Sequence, residues 1–127
     1  DIVAVHDAVR PFVTVEEIER TVAAAQQKGA AILARAPVDT VKQVANGQVT
    51  KTLSRNDLRL ALTPQCFRYS LLRSAYEKVD VNDPALTDES SLIERLGIGV
   101  AIVEGSERNI KITTPADLAF AEQLLRS

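Results

Sequence analysis

The sequence predicts an α/β protein, and three observations predict it. Short apolar runs of strand length alternate with segments whose apolar residues recur at helical spacing. Helix-start and helix-stop residues punctuate the boundaries between them, as in Thr14-Val15-Glu16-Glu17, Gly29 and Thr114-Pro115. Polar residues able to do chemistry follow the apolar runs, where an open α/β sheet gathers its ligand contacts beyond the strand ends.

Taken in order, Ile2-Val3-Ala4-Val5 reads as a buried strand, and Pro11 at the end of His6-Asp7-Ala8-Val9-Arg10-Pro11 stops its ladder. Thr14 to Glu17 is a capping box that opens a helix ending at Gly29, a residue suited to the left-handed cap. Ala30 to Ala34 reads as a small buried strand. Beyond Pro37, Val41 to Ala45 and Gln48 to Thr52 flank Asn46-Gly47, the strongest short signal for a type I′ hairpin. This hairpin has too few large apolar residues to bury a face, so it reads as a solvated ribbon or as an arm packing on another subunit. Leu60-Ala61-Leu62 is a short strand ending at Thr63-Pro64-Gln65. A helix from about Ser70 to Val79 puts Leu71, Leu72, Ala75, Tyr76 and Val79 on one face. Thr87-Asp88-Glu89-Ser90 starts another, with Leu92, Ile93 and Leu96 inward and Gly97 as its end. Val100 to Val103 reads as a strand, as does Asn109 to Thr113, where a period of two sends Ile110 and Ile112 to the core and Asn109, Lys111 and Thr113 to the other side. The last helix starts with Thr114 as cap, Pro115 and Asp117, and runs through Leu118, Ala121, Leu124 and Leu125.

The 127 residues, 46% of them hydrophobic, suit one domain with an adequate core, and no internal repeat or linker divides them. Met is absent and strand residues follow Asp1 at once, so the sequence reads as a fragment. No run approaches a membrane span and none resembles a signal peptide. A net charge of -2 without a polybasic face argues against nucleic acid or an anionic membrane as partner. Cys66 is the single cysteine, which excludes an internal disulfide and favours a reduced structural thiol in a cytoplasmic protein. His6 is the single histidine, which argues against a His-based zinc site or a Ser-His-Asp triad of the usual kind.

Asp7 and Arg10 lead the polar groups that core, cap and turn leave over. An Asp at a strand end can hold Mg²⁺ through hard oxygen, and an Arg can grip phosphate oxygens, although a surface ion pair is the simpler account of the two. Thr40, Arg55, Thr63, Asp88 and Lys111 complete the set. Each has a structural alternative: Asp88 as an N-cap, Lys111 as a charge guarding a sheet edge, Arg55 as a solvated cation, Thr63 as a turn residue before Pro. Together, two guanidiniums, a lysine, hydroxyls and one or two carboxylates suit a phosphate with a divalent ion.

These residues also carry a family resemblance. His6-Asp7-Ala8-Val9-Arg10-Pro11, Pro37 to Lys42, Thr52-Leu53-Ser54-Arg55, Leu62-Thr63-Pro64-Gln65, Thr87-Asp88-Glu89, and Val103-Glu104-Gly105 leading into Asn109-Ile110-Lys111-Ile112-Thr113 occur in the order and spacing of one family. The chain resembles the C-terminal part of 2-C-methyl-D-erythritol 4-phosphate cytidylyltransferases along its whole length. Val9, Ser54 and Arg59 depart from the family's usual Ala, Asp and aromatic residue, and the Pro37 to Asp39 segment is one residue short. The resemblance implies a three-layer Rossmann-like nucleotidyltransferase fold, truncated at its N-terminus, with residues 1–127 forming the C-terminal part of a single domain and a hairpin arm at about 38–56 projecting from it.

It also implies a reaction in which CMP passes from CTP to 2-C-methyl-D-erythritol 4-phosphate, with release of pyrophosphate, in non-mevalonate isoprenoid biosynthesis. Asp7 would bind Mg²⁺, and Asp7, Arg55 and Lys111 would be the catalytic residues. Arg10, Thr63 and Thr87 would line the polyol phosphate pocket. Thr40 and Arg55 on the arm would reach the neighbouring subunit's site in a homodimer. The family's Gly-rich triphosphate loop precedes the matched region, so this stretch alone is expected to be inactive. Two other readings stand beside this one: a cytidylyltransferase for another polyol phosphate such as ribitol 5-phosphate, and a non-catalytic dimerisation or binding module.

Overall fold

Phe67 and Ala30 face each other across two antiparallel strands, and their neighbours Cys66 and Ala31 do the same one residue along, so the pleat sends one pair to each side of the sheet. The computed structural model describes residues 1–127. Its elements are β1 (Ile2–Val5), α1 (Val15–Lys28), β2 (Ala30–Arg35), β3 (Val41–Ala45), β4 (Gln48–Leu53), a 3₁₀ turn at Arg55–Asp57, β5 (Leu60–Arg68), α2 (Tyr69–Lys78), α3 (Glu89–Arg95), β6 (Ala101–Glu104) and α4 (Pro115–Arg126). The four-stranded sheet has the order β1-β5-β2-β6, with β5 antiparallel to β1 and β2, and β2 parallel to β6. Ala30 and Phe67 pack with Leu72 and Ala75 of α2 and Leu92 and Ile93 of α3. Ala31 and Cys66 pack with Ala25 of α1. Helices therefore cover both faces, which is the three-layer α/β arrangement expected.

Local chemistry sets the helix ends as the sequence predicts. The Thr14 hydroxyl accepts from the Glu17 amide, and the Glu17 carboxylate accepts from the Thr14 amide. Gly29 caps α1 with φ 93°, and Thr114 with Asp117 forms the same box at α4. Asn46 and Gly47 take φ 53° and 77° in the β3-β4 turn. The hairpin forms a sheet of its own, exposed along both strands except at half-buried Val41 and Leu53.

Three expectations need correction. β1 is a half-exposed edge strand rather than a buried one, because only β5 pairs with it. β5 does not end at Thr63-Pro64-Gln65 but runs on to Arg68. The proline is tolerated because β1 pairs only with residues 65 to 68 and the register with β2 shifts between Ile32 and Ala34, so no regular ladder bond is lost at Pro64. Asn109 to Thr113 is not a strand: no neighbour offers it a ladder, and Asn109 is 1% exposed while Lys111 is exposed, so the two do not share one side. In α4 only Ala121 is buried, while Leu118 and Leu125 are exposed.

The thiol of Cys66 lies within this core, where burial pushes its pKa up to about 11, so it is held as an inert thiol. No helix is long and apolar enough to cross a membrane. The turn after β6 is a point of close approach. A Cβ on Gly105 would stand 2.7 Å from Leu33 Cγ and 3.1 Å from Glu17 Oε2. Glu17 Oε2 also accepts from the Ser106 amide at 2.9 Å, so the α1 cap carboxylate clasps this turn. Gly105→Ala is accordingly expected to destabilise the fold by about 1–2 kcal/mol, read as a lower urea midpoint at unchanged slope. An unchanged midpoint would mean that Leu33 gives way freely.

Candidate active site

The loop after β1 folds back on itself. The Arg10 amide donates to the Asp7 carbonyl at 3.0 Å, and the Arg10 Nε donates to Asp7 Oδ2 at 3.2 Å. Arg10 Nη1 donates to the buried carbonyl of Asn109 at 2.8 Å, tying this loop to the segment after β6. The Asn109 amide in turn donates from Nδ2 to the Thr63 carbonyl on β5 at 2.9 Å. The Thr63 hydroxyl accepts from the Asp7 amide at 3.1 Å and bonds His6 Nδ1 at 2.8 Å. Three segments distant in the chain are thus laced at one end of the sheet.

They enclose a cavity of about 490 Å³ whose lining includes Asp7, Arg10, Thr63, Gln65, Thr87, Asp88, Glu89 and Lys111. It lies at the carboxyl end of β1, where the open-sheet rule places ligands. Lys111 Nζ stands 3.8 Å from Asp7 Oδ2 and its side chain is half exposed. Asp7 therefore sits between two cations while keeping Oδ1 free of protein partners. A second cavity of about 410 Å³, between α3 and β6, has Glu94 as its one charged lining residue and does not suit an anion.

The far wall is built by Asp88, which caps α3. Partial burial pushes its pKa up, but hydrogen bonds from Gln65 Nε2, from the Ser91 and Ser90 hydroxyls and from the Ser91 amide outweigh it and hold the carboxyl below the usual range. Gln65 also accepts from the Ser90 amide through Oε1. A depressed carboxylate stabilises the fold fully above its unfolded value, about pH 4, and loses that contribution as pH falls through the folded value. Asp88→Asn is thus expected to lower stability at neutral pH and to flatten the acid limb below about pH 4 in a urea-against-pH series. An unaltered acid limb would count against this role.

Asp7, Arg10, Thr63, Thr87 and Lys111 meet as the sequence suggests, in one cavity. Thr40 and Arg55 do not. Both are exposed on the arm base, and the Arg55 guanidinium bonds the Val38 carbonyl of its own arm. Asp88 is the N-cap weighed for it and also lines the cavity. Sequence reasoning missed His6, Gln65 and Asn109 as site-building residues. Their only signal was a place within or beside the shared motifs, since nothing in local periodicity marks a hydrogen bond to a distant segment. Arg59, in its unusual place, makes a 2.7 Å ion pair with Glu104 at the foot of the arm.

No three His, Cys, Asp or Glu side chains converge to cage a metal. One carboxylate, Asp7, is available to a hard cation such as Mg²⁺, which would take its remaining ligands from substrate oxygens and water.

Fold and cavity together define an α/β protein with a polar cavity of mixed charge at its strand ends and a detached hairpin arm. The family model for 2-C-methyl-D-erythritol 4-phosphate cytidylyltransferase matches residues 1–127. The chain is 49% identical over 99% of its length to the 2-C-methyl-D-erythritol 4-phosphate cytidylyltransferase of Syntrophus aciditrophicus, and 50% identical over 98% to that of Syntrophotalea carbinolica. It spans about half the length of these curated relatives, 54% in both cases. Among solved structures, the Thermus thermophilus enzyme of that name superposes with a TM-score of 0.87 at 37% identity, covering 99% of this chain and 62% of the other. The 4-diphosphocytidyl-2C-methyl-D-erythritol synthase of Anaerococcus prevotii gives 0.90 at 36% identity, covering 99% and 59%. The chain belongs to the 2-C-methyl-D-erythritol 4-phosphate cytidylyltransferase family.

Proposed function

We propose that residues 1–127 are the C-terminal part of a single nucleotidyltransferase domain in a cytoplasmic enzyme. That enzyme transfers CMP from CTP to 2-C-methyl-D-erythritol 4-phosphate, releases pyrophosphate, and serves non-mevalonate isoprenoid biosynthesis. The observation that carries this reading is the convergence of Asp7, Arg10, Thr63, Thr87 and Lys111, from four separate motifs, on one cavity. No side chain there is poised as a covalent nucleophile. A direct attack of the acceptor phosphate on the α-phosphorus needs none, only positioning and compensation of charge.

Lys111 and the part of Arg10 not used on Asp7 and Asn109 would hold the acceptor phosphate, and the Thr63 and Thr87 hydroxyls would meet the polyol. Three carboxylates, Asp7, Asp88 and Glu89, face only two cations in the cavity. A dianionic phosphate therefore calls for more positive charge than this chain's own pocket supplies. Mg²⁺ on Asp7 would offset charge on the phosphates during transfer. Arg55 and Thr40 of a neighbouring subunit's arm would add the rest.

The arm supports that arrangement, since Val38, Val44 and Val49 are 70%, 64% and 59% exposed and no other strand pairs with β3 or β4. An isolated two-stranded ribbon is marginal, and a second copy under two-fold symmetry is the simplest partner. Sedimentation is expected to give a dimer, and replacing residues 41 to 51 by a short Gly-Ser loop a monomer. A wild-type monomer at tens of micromolar would refute the arm's role. The function itself is tested by pyrophosphate release from CTP by the full-length protein with methylerythritol phosphate and with ribitol 5-phosphate. Preference for the second acceptor, or turnover of neither, would overturn it.

A further inference from the structure

His6 lies outside the set of substrate-binding residues, yet its ring joins two of their supports. Nε2 stands 3.0 Å from the Arg10 carbonyl and Nδ1 stands 2.8 Å from the Thr63 hydroxyl. A carbonyl oxygen only accepts, so Nε2 must carry the hydrogen. In a neutral imidazole Nδ1 is then a bare lone pair, and the Thr63 hydroxyl must donate to it. That hydroxyl already accepts from the Asp7 amide at 3.1 Å. With its one proton spent on His6 and one lone pair on Asp7, Thr63 has a single lone pair left for the cavity it lines.

From this hydrogen inventory we infer that His6 is a positioning residue that makes Thr63 an acceptor toward the substrate. Thr63 then takes a hydrogen bond from a hydroxyl of the polyol and gives none to its phosphate. The inference rests on the polyol phosphate reading above and assigns one side of the pocket to the sugar chain, leaving the phosphate to Lys111 and Arg10. It also explains the register of the loop. The Thr63 hydroxyl holds the Asp7 amide directly and the Arg10 carbonyl by way of the imidazole, so the backbone beneath both charged side chains is tied to β5 through Thr63.

Two measurements test it on the full-length protein. The first is the ¹⁵N spectrum of the His6 ring at about pH 8, above the ordinary imidazole range, with the signal assigned by its loss in His6→Gln. The expected result is the Nε2–H tautomer with Nδ1 as acceptor. An Nδ1–H ring would overturn the inference whatever the activity. The second is steady-state kinetics of His6→Asn and His6→Gln. An Asn amide reaches the place of Nδ1 and can present its oxygen to Thr63, whereas a Gln amide reaches the place of Nε2 and leaves Thr63 without its acceptor. His6→Gln is expected to raise KM for the polyol phosphate about three- to tenfold with little change in kcat or in KM for CTP, and His6→Asn to restore most of the loss. Equal loss in both variants, or loss shared with CTP, would assign the ring a merely structural role and overturn the inference. A wild-type protein without turnover would count against the polyol phosphate reading, while the tautomer would still decide on His6.

Discussion

Asp7→Asn is expected to reduce turnover of the full-length protein by about a hundredfold or more while leaving its fold intact. The carboxylate lies between Arg10 and Lys111 with Oδ1 free, and no helix cap employs it. Asn keeps the shape and the backbone bond from the Asp7 amide to Thr63, so the loop after β1 survives. What disappears is the negative charge that would hold Mg²⁺ and orient the two cations. Rates across a Mg²⁺ titration, with circular dichroism on the same samples, measure this. Wild-type turnover with unchanged Mg²⁺ dependence would reduce Asp7 to one half of a surface ion pair.

Lys111→Ala should weaken the polyol phosphate by about tenfold to a hundredfold, the equivalent of roughly 1.5–3 kcal/mol for a hydrogen bond to a charged group, and leave CTP binding nearly unchanged. The side chain is half exposed and its one ion-pair partner is 3.8 Å away, so its removal costs the fold little. Arg55→Ala should give the same pattern through the partner's pocket. Mixing the two variants separates the possibilities. A heterodimer with Arg55→Ala in one protomer and Lys111→Ala in the other regains one intact pocket if arms are exchanged, and activity rises on mixing. If each arm served its own subunit, mixing would restore nothing, and equal losses for both substrates in the single variants would point to folding instead.

The site's ingredients were more legible in the sequence than its construction. Asp7, Arg10, Thr63 and Lys111 could be named as polar groups left over by core, cap and turn, and Thr87 by the family resemblance, and all five line the cavity. His6, Gln65 and Asn109 could not, because each acts through hydrogen bonds to segments far off in the chain. Asn109 reaches Thr63 across 46 residues and Arg10 reaches Asn109 across 99. Arg10 shows the difference within one side chain. Its charge promised a phosphate fork, whereas its Nε and Nη1 are engaged by Asp7 and by the Asn109 carbonyl.

What the sequence determined by itself lies within about one turn of chain. The two capping boxes, the Gly29 cap and the Asn46-Gly47 turn are satisfied by atoms at most four residues apart, so residue identity was enough to specify them. Tertiary structure decided the rest. Asn109 to Thr113 alternates like a strand but is none, since a strand exists only where a neighbour offers free N–H and C=O groups. β5 continues through Pro64 for the converse reason: its flanks are irregular where the missing N–H would have been needed. Glu17, read as a helix cap, also holds the Ser106 amide across 89 residues, and Gly105 is required there because Leu33 leaves no room for a side chain. Local hydrogen bonds are encoded in residue spacing, but burial and strand pairing depend on which surfaces the folded chain brings together, and only the assembled sheet and helices supply those.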